Sequence, residues 1–397
     1  MQNSNHSVTK ITDTLFDPTK SFKDYSPAIN ILPRLNFSFP IADKASFYGH
    51  YDIYALRPGQ GYSQTTPYDY YYLTQNTNSI INNPALKPEK TFDYEMGFQQ
   101  ELSASSGLTI TGFYRERKDM IQVRPYLDAY PTTYYTYGNR DFSSTKGMTL
   151  TYTLQKLNHL SMQVSYTLQF VEGTGSSAFS TNSASGGQVS SSGILQSFIA
   201  AGLPNMRYVY TLSNDSRHIL SANIDYRYDD NEGPTIGGKH VFQNAGINLT
   251  ARARSGEPWT RYASPIGSDI IGEVNGARLP WHFGLDLAVD KNFELSFRKK
   301  ATDELATSKP NMARKYHLNA FLRVTNLLNI QDVLGVYRYT GSPSDNGFLS
   351  SSYGQQAIPQ QTSPKAYVDQ YTMYINTVGN GNYNLPRMVN IGVNFNF

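Results

Sequence analysis

Val389-Asn390-Ile391-Gly392-Val393-Asn394-Phe395-Asn396-Phe397 alternates without a break: Val389, Ile391, Val393, Phe395 and Phe397 fall on one side, Asn390, Gly392, Asn394 and Asn396 on the other. A period of two puts successive side chains on opposite faces of an extended chain, so the stretch reads as a β-strand with one apolar and one polar face. Working back from it, the same pattern recurs in Tyr316–Thr325, Trp281–Asp290, Ala245–Arg254, Leu220–Tyr228, Leu160–Phe170 and Met148–Leu154. Less regular strands are expected over Asn30–Phe39, Ala45–Ala55, Lys90–Leu102 and Leu108–Val123. That makes about eleven strands, most near the 9–11 residues of a tilted membrane strand. No helix is expected.

Composition narrows the class. The 397 residues carry 34 Lys and Arg against 31 Asp and Glu, a net charge of +3, and only 16% are charged. Tyr, Asn, Ser and Thr take the place of the missing charge, with 31 Tyr and 20 Phe against 2 Trp. So aromatic a chain is not wholly disordered. No apolar run is long enough for a membrane helix. The densest basic run, Arg298-Lys299-Lys300, is short and reads as a solvated turn, so no nucleic-acid partner is expected. Without Cys there are no disulfides, thiolate metal sites or Cys nucleophiles. The first residues, Met1-Gln2-Asn3-Ser4-Asn5-His6, have neither the basic nor the apolar region of a signal peptide.

A soluble sandwich also alternates, but three features favour an antiparallel transmembrane β-barrel. The polar face carries Asn, Asp and Arg in series, as a wet lumen would require, while the apolar face would meet lipid. Aromatic residues collect toward strand ends (Phe39, Phe47, Tyr226, Tyr228, Trp281, Phe395, Phe397), as in interfacial girdles. Connections also alternate in length. Those at Ile41–Lys44, Ser103–Gly107 and Gln155–His159 are short, and Asp229–His240 and Ser296–Ala313 are intermediate. Between them lie long ones at Leu56–Glu89, Arg124–Lys146, Val171–Arg217, Ser255–Pro280 and Leu327–Leu385. Short periplasmic turns and long external loops are the rule in outer-membrane barrels, and parity puts every long loop on one side.

Asn83-Pro84-Ala85-Leu86-Lys87-Pro88-Glu89-Lys90-Thr91-Phe92-Asp93-Tyr94-Glu95-Met96-Gly97-Phe98 resembles a segment of TonB-dependent outer-membrane transporters. Pro33–Phe39 with Phe47–Tyr51 resembles the preceding hairpin of the large Bacteroidetes-type members. Val324-Thr325-Asn326-Leu327-Leu328-Asn329 is similar to the family's motif near the penultimate strand. The terminal Phe395 and Phe397 resemble the signal read by the barrel-assembly machinery. The resemblance implies a barrel of about 22 strands closed around an N-terminal plug. Against it, about eleven strands, no plug and no TonB box are legible here. The chain is therefore expected to be an incomplete, C-terminal part of such a barrel: a truncated frame, a fragment, or the partner of a separate N-terminal piece. Residues 30–397 would form the barrel portion, with 1–29 an external loop or the end of a preceding strand.

The resemblance also implies the function. External loops and lumen would bind and import a nutrient (a glycan, peptide or metal chelate), driven by the TonB–ExbB–ExbD complex acting on a plug. Outer-membrane lipid and a surface lipoprotein would be its other partners. The alternative is a surface-binding or adhesive β-protein that transports nothing. Candidate ligand contacts are Tyr70, Tyr71, Tyr134 and Tyr135, from two dense loop clusters of tyrosine, because Tyr presents rigid amphipathic area. Arg252 and Arg254, near the outer end of the polar face, could guide anionic or polar ligands inward, or simply pair with neighbouring carboxylates. The seven His form no H-x-H or H-E-x-x-H pattern, so neither zinc site nor other cofactor is expected; His282 and His317 read as polar wall residues. No G-x-S-x-G elbow, Walker loop or dinucleotide fingerprint is present, and no enzymatic activity is expected.

Overall fold

The computed structural model describes residues 7–8, 22–23, 29–66, 80–126, 134–178, 208–267, 269–297 and 314–396. Eleven strands dominate it: β1 (Arg34–Ala42), β2 (Ala45–Leu56), β3 (Glu89–Ser103), β4 (Ser106–Tyr126), β5 (Tyr134–Leu157), β6 (Leu160–Gly173), β7 (His218–Arg227), β8 (Ala245–Arg254), β9 (His282–Phe297), β10 (Arg314–Thr325) and β11 (Met388–Asn396). Each pairs antiparallel with its neighbours in sequence, so the sheet is a meander. It is not closed: among the described residues, β1 and β11 are its free edges.

Its two faces follow the alternation. In register, Val389, Ile391 and Val393 of β11 lie beside Val324, Leu322 and Ala320 of β10. Ile391 is 81% exposed, and Leu35, Phe37 and Phe39 on β1 and Met96 on β3 also face outward. Aromatic residues bound this apolar face at both ends. At the short-turn end, Phe37, Phe39 and Phe47 cluster with centroids 5.3–6.4 Å apart. There His159 also meets Tyr226 and Tyr228, and Tyr316 stacks on Phe395. At the long-loop end the Tyr166 hydroxyl and His218 Nδ1 share a 2.8 Å hydrogen bond, and His218 stacks on Trp281. Tyr51, Tyr94 and Tyr114 continue that line across β2, β3 and β4. From His218 to Tyr226 the strand rises about 26 Å at 3.3 Å per residue. Tilted by about 40°, that is an apolar band of about 20 Å, close to the span of an outer-membrane barrel.

The opposite face is laced by polar side chains: Thr149 with Thr167, Thr151 with Ser165, Asn223 with Asn248 and Thr250, and Asn292 with Asn319. Glycine admits large rings here. A Cβ on Gly97 would stand 2.2 Å from the Tyr48 ring, whose hydroxyl bonds Thr111.

Two expectations are corrected. Most of the expected loop at 124–146 is strand, because β4 and β5 run on to Tyr126 and from Tyr134. This projecting part of the hairpin is irregular: Asp119 has φ 58° and the register shifts beside Met120. Helices, expected nowhere, occur in two long connections: a single turn at Gln60–Ser63 in the first, and α1 (Ser352–Ala357) and α2 (Pro364–Gly379) in the last. Ser351 caps α1 by accepting from the Gly354 amide, and Lys365 and Asp369 pair across one turn of α2.

Candidate functional site

The polar face opens into a cavity of about 260 Å³ where β7, β8 and β9 reach the long loops. Register brings its walls together: Ser221, Arg252 and Gly284 lie in one row, Ile219, Arg254 and His282 in the next. Asp332 and Leu334, from the connection after β10, also line it. A Cβ on Gly284 would meet nothing within 4 Å, so the glycine leaves space over the floor.

The charges are held in place. Arg252 pairs with Asp286 at 3.2 Å, and Arg254 with Glu257 at 2.7 Å. Asp286 also accepts from the Asn326 amide. Asn326 itself is in the left-handed region (φ 55°) and bonds Ile330 and Leu385, so the Asn326-to-Asn329 turn clamps β9, β10 and the approach to β11. The Asp332 carboxylate accepts from the Phe283 amide, fixing the segment beside the cavity. His282 is 6% exposed, and neither of its ring nitrogens has a hydrogen-bond partner among the described residues. A neutral imidazole offers one donor and one acceptor. The cavity therefore combines an unsatisfied imidazole, two braced guanidinium groups and an apolar side formed by Ile219 and Leu334.

Deeper on the same face Arg227 grips Asp290 through two bonds of 2.6 and 3.0 Å, with Asp225 at 3.7 Å. Above the rim, Asp215 is fully buried and binds Arg278, Arg217 and the Val171 amide, tying the 255–280 connection to β6.

The candidate residues from the sequence separate into two groups. Arg252 and Arg254 meet in the cavity. Tyr135 is half-buried in the projecting hairpin, packed against Ile121, Val123 and Tyr137. Tyr134 begins β5, its side chain outside the described residues, as are Tyr70, Tyr71 and Phe397. Phe395 lies on the apolar face against Tyr316. The Asn83-to-Glu89 motif ties this hairpin together. The Asn83 side-chain amide donates to Tyr137, Lys87 and Asn139 bond both ways, and Glu89 accepts from the Ile121 amide and Arg117.

Residues 3–327 match the family model described as TonB dependent receptor-like, beta-barrel. The chain belongs to this family. A comparison with curated proteins gives no match. Among solved structures this receptor barrel is similar to the ferripyoverdine receptor of the Pseudomonas aeruginosa outer membrane bound to ferripyoverdine (13% identity, 78% of this chain and 30% of that one, TM-score 0.43). It is likewise similar to the outer membrane transporter YddB from Escherichia coli (13%, 77% and 38%, 0.46) and the ferric yersiniabactin uptake receptor FyuA from Yersinia pestis (15%, 76% and 33%, 0.42). The receptor chain thus spans about a third of the length of these solved structures.

Proposed function

We propose that the chain is part of the wall of an outer-membrane importer and that the cavity around Arg252, Arg254 and His282 is one of its ligand contacts. The observation that carries the reading is the pairing of two unlike faces: an exposed apolar band bounded by aromatic residues, and an ion-paired polar face with a cavity at its long-loop end. The apolar band meets lipid and the polar face lines the lumen. The backbone at the free edges of β1 and β11 needs partners in lipid, which further strands supply. The cargo is a nutrient such as a glycan, peptide or metal chelate, and Tyr70, Tyr71, Tyr134 and Tyr135 contribute to its capture from outside. A plug coupled to TonB–ExbB–ExbD drives its passage, the barrel-assembly machinery reads Phe395 and Phe397, and a surface lipoprotein assists capture. The wall itself has no catalytic part.

Expression in a Gram-negative host behind an added export signal, together with a receptor segment that supplies the further strands, tests this. The chain should fractionate with the outer membrane and require detergent for release. Ile391→Arg places a charge in the lipid band and should cost about 2–4 kcal/mol and reduce insertion. Release into the soluble fraction, with Ile391→Arg harmless, would favour the adhesive alternative.

A further inference from the structure

The connection between β7 and β8, at the short-turn end, carries an apolar surface of its own. Within it Thr235–Ile236 pairs antiparallel with Lys239–His240, and Gly237 and Gly238, at φ 59° and 74°, make the tight turn between them. Two successive left-handed residues define the type I′ turn, and glycine adopts them without strain. Ile236 is 60%, Phe242 46% and Val241 41% exposed. Large apolar side chains uncovered this close together, beside Asp229, Asp230 and Lys239, mark a contact surface.

The fastenings of this connection lie on the outward side of the sheet. Tyr228 joins Tyr226 and His159 in the aromatic group that bounds the apolar face at this end. Gly233 rests on the Tyr228 ring, where a Cβ would stand 3.2 Å from it, and its carbonyl shares a 2.8 Å hydrogen bond with His240 Nδ1. His159 Nδ1 lies 3.1 Å from Glu232 Oε2. On β9 the Lys291 ammonium donates to the Val241 carbonyl. Lys291 alternates with Val289 and Leu287 of the apolar face and holds its ammonium 5.0 Å from the centre of the Phe293 ring. Ile247 and Phe293, 49% and 39% exposed, continue the same surface into the band. A stretch held by Tyr228, His159 and Lys291 therefore stands beside the apolar band, not beneath the lumen.

We propose that this hairpin is a membrane anchor: Ile236, Val241 and Phe242 enter the headgroup boundary of the phospholipid leaflet at the short-turn end. An amphipathic segment of this kind buries its apolar side chains at the acyl boundary and leaves its charges among the headgroups. Lys239, exposed in the turn, meets the phosphates. The inference rests on the reading of the apolar band as lipid-facing and extends that contact past the strand ends.

The lack of cysteine makes the test direct, since an introduced thiol takes a label uniquely. Ile236→Cys, Phe242→Cys, Ile391→Cys in the band and Thr362→Cys, exposed in the last long connection, each receive a nitroxide. The chain, closed by the receptor segment that supplies the further strands, is reconstituted in phosphatidylethanolamine–phosphatidylglycerol vesicles. Collisions with oxygen, which concentrates in hydrocarbon, are compared with collisions with a neutral nickel chelate, which stays in water. The oxygen-to-nickel ratio at Ile236 and Phe242 should exceed that at Thr362 several-fold and fall below that at Ile391. A ratio no higher than at Thr362, with Ile391 still high, would overturn the anchor and leave the wall intact. Exclusion of both reagents at Ile236 and Phe242 would also overturn it, because protein would then cover the hairpin. A water-like ratio at Ile391 would overturn the lipid-facing band, and the anchor with it.

Discussion

The polar face carries two charged patches built from the same residue types. On β7–β9 each arginine finds a carboxylate: Arg227 has Asp290, Arg252 has Asp286, and Arg254 has Glu257. On β2–β4 the carboxylates exceed what Arg115 can satisfy, and Asp52 keeps a buried oxygen with no hydrogen-bond partner among the described residues. The first patch is internally closed and serves as wall, with a cavity at its rim. The second is not closed in this way. Composition does not distinguish them; register does, because directly opposed residues share a face at close range.

The sharpest way to break this contrast is Arg227→Met. It leaves Asp225 and Asp290 facing each other without their cation. The cost should be about 1–3 kcal/mol, below that of a fully buried pair because these side chains stay a quarter to a third exposed. A lowered unfolding midpoint in detergent reads it, and adding Asp290→Asn should restore part of the loss. Asp52→Asn should act in the opposite direction. Removing the surplus charge should stabilise by about 0.5–1 kcal/mol. Destabilisation by Asp52→Asn would make the two patches equivalent. The smallest effect belongs to an exposed pair outside both. A hydrogen bond from Lys156 holds the Asp229 carboxyl below its usual range. Its contribution is present above the ordinary carboxylate pKa of about 3.9 and is lost as pH falls through the lowered value. Unfolding midpoints of wild type and Asp229→Asn should differ slightly at pH 6 and converge in acid.

Much of the wall was legible beforehand. β7, β8, β10 and β11 lie within a residue or two of their expected positions, since a strand between two unlike media must alternate. The projecting part of β4 and β5 was not, because beyond the aromatic belt no lipid enforces alternation. Asn139 and Asp141 there bond other loops, Asn139 to Lys87 and Asp119, Asp141 to Thr174. Helix α2 was obscured by its β-branched residues, whose Thr372 and Thr377 hydroxyls bond back to Val368 and Met373. The helical signals were nonetheless present: Pro364 at its start, and Tyr367 and Tyr371 one turn apart, with Tyr371 packing on Phe348. In the cavity, Arg252 and Arg254 stood out as charges in series on a strand. His282 read only as wall, because nothing local shows that both its nitrogens lack partners among the described residues.

By itself the sequence determined that this chain makes two-faced antiparallel strands with long connections on one side, because side-chain period and turn composition are local properties. Tertiary structure alone decided which charges meet, which oxygen is left bare and where the cavity lies. Those depend on register between strands far apart in the chain, and a slip of one residue would turn every side chain to the other face.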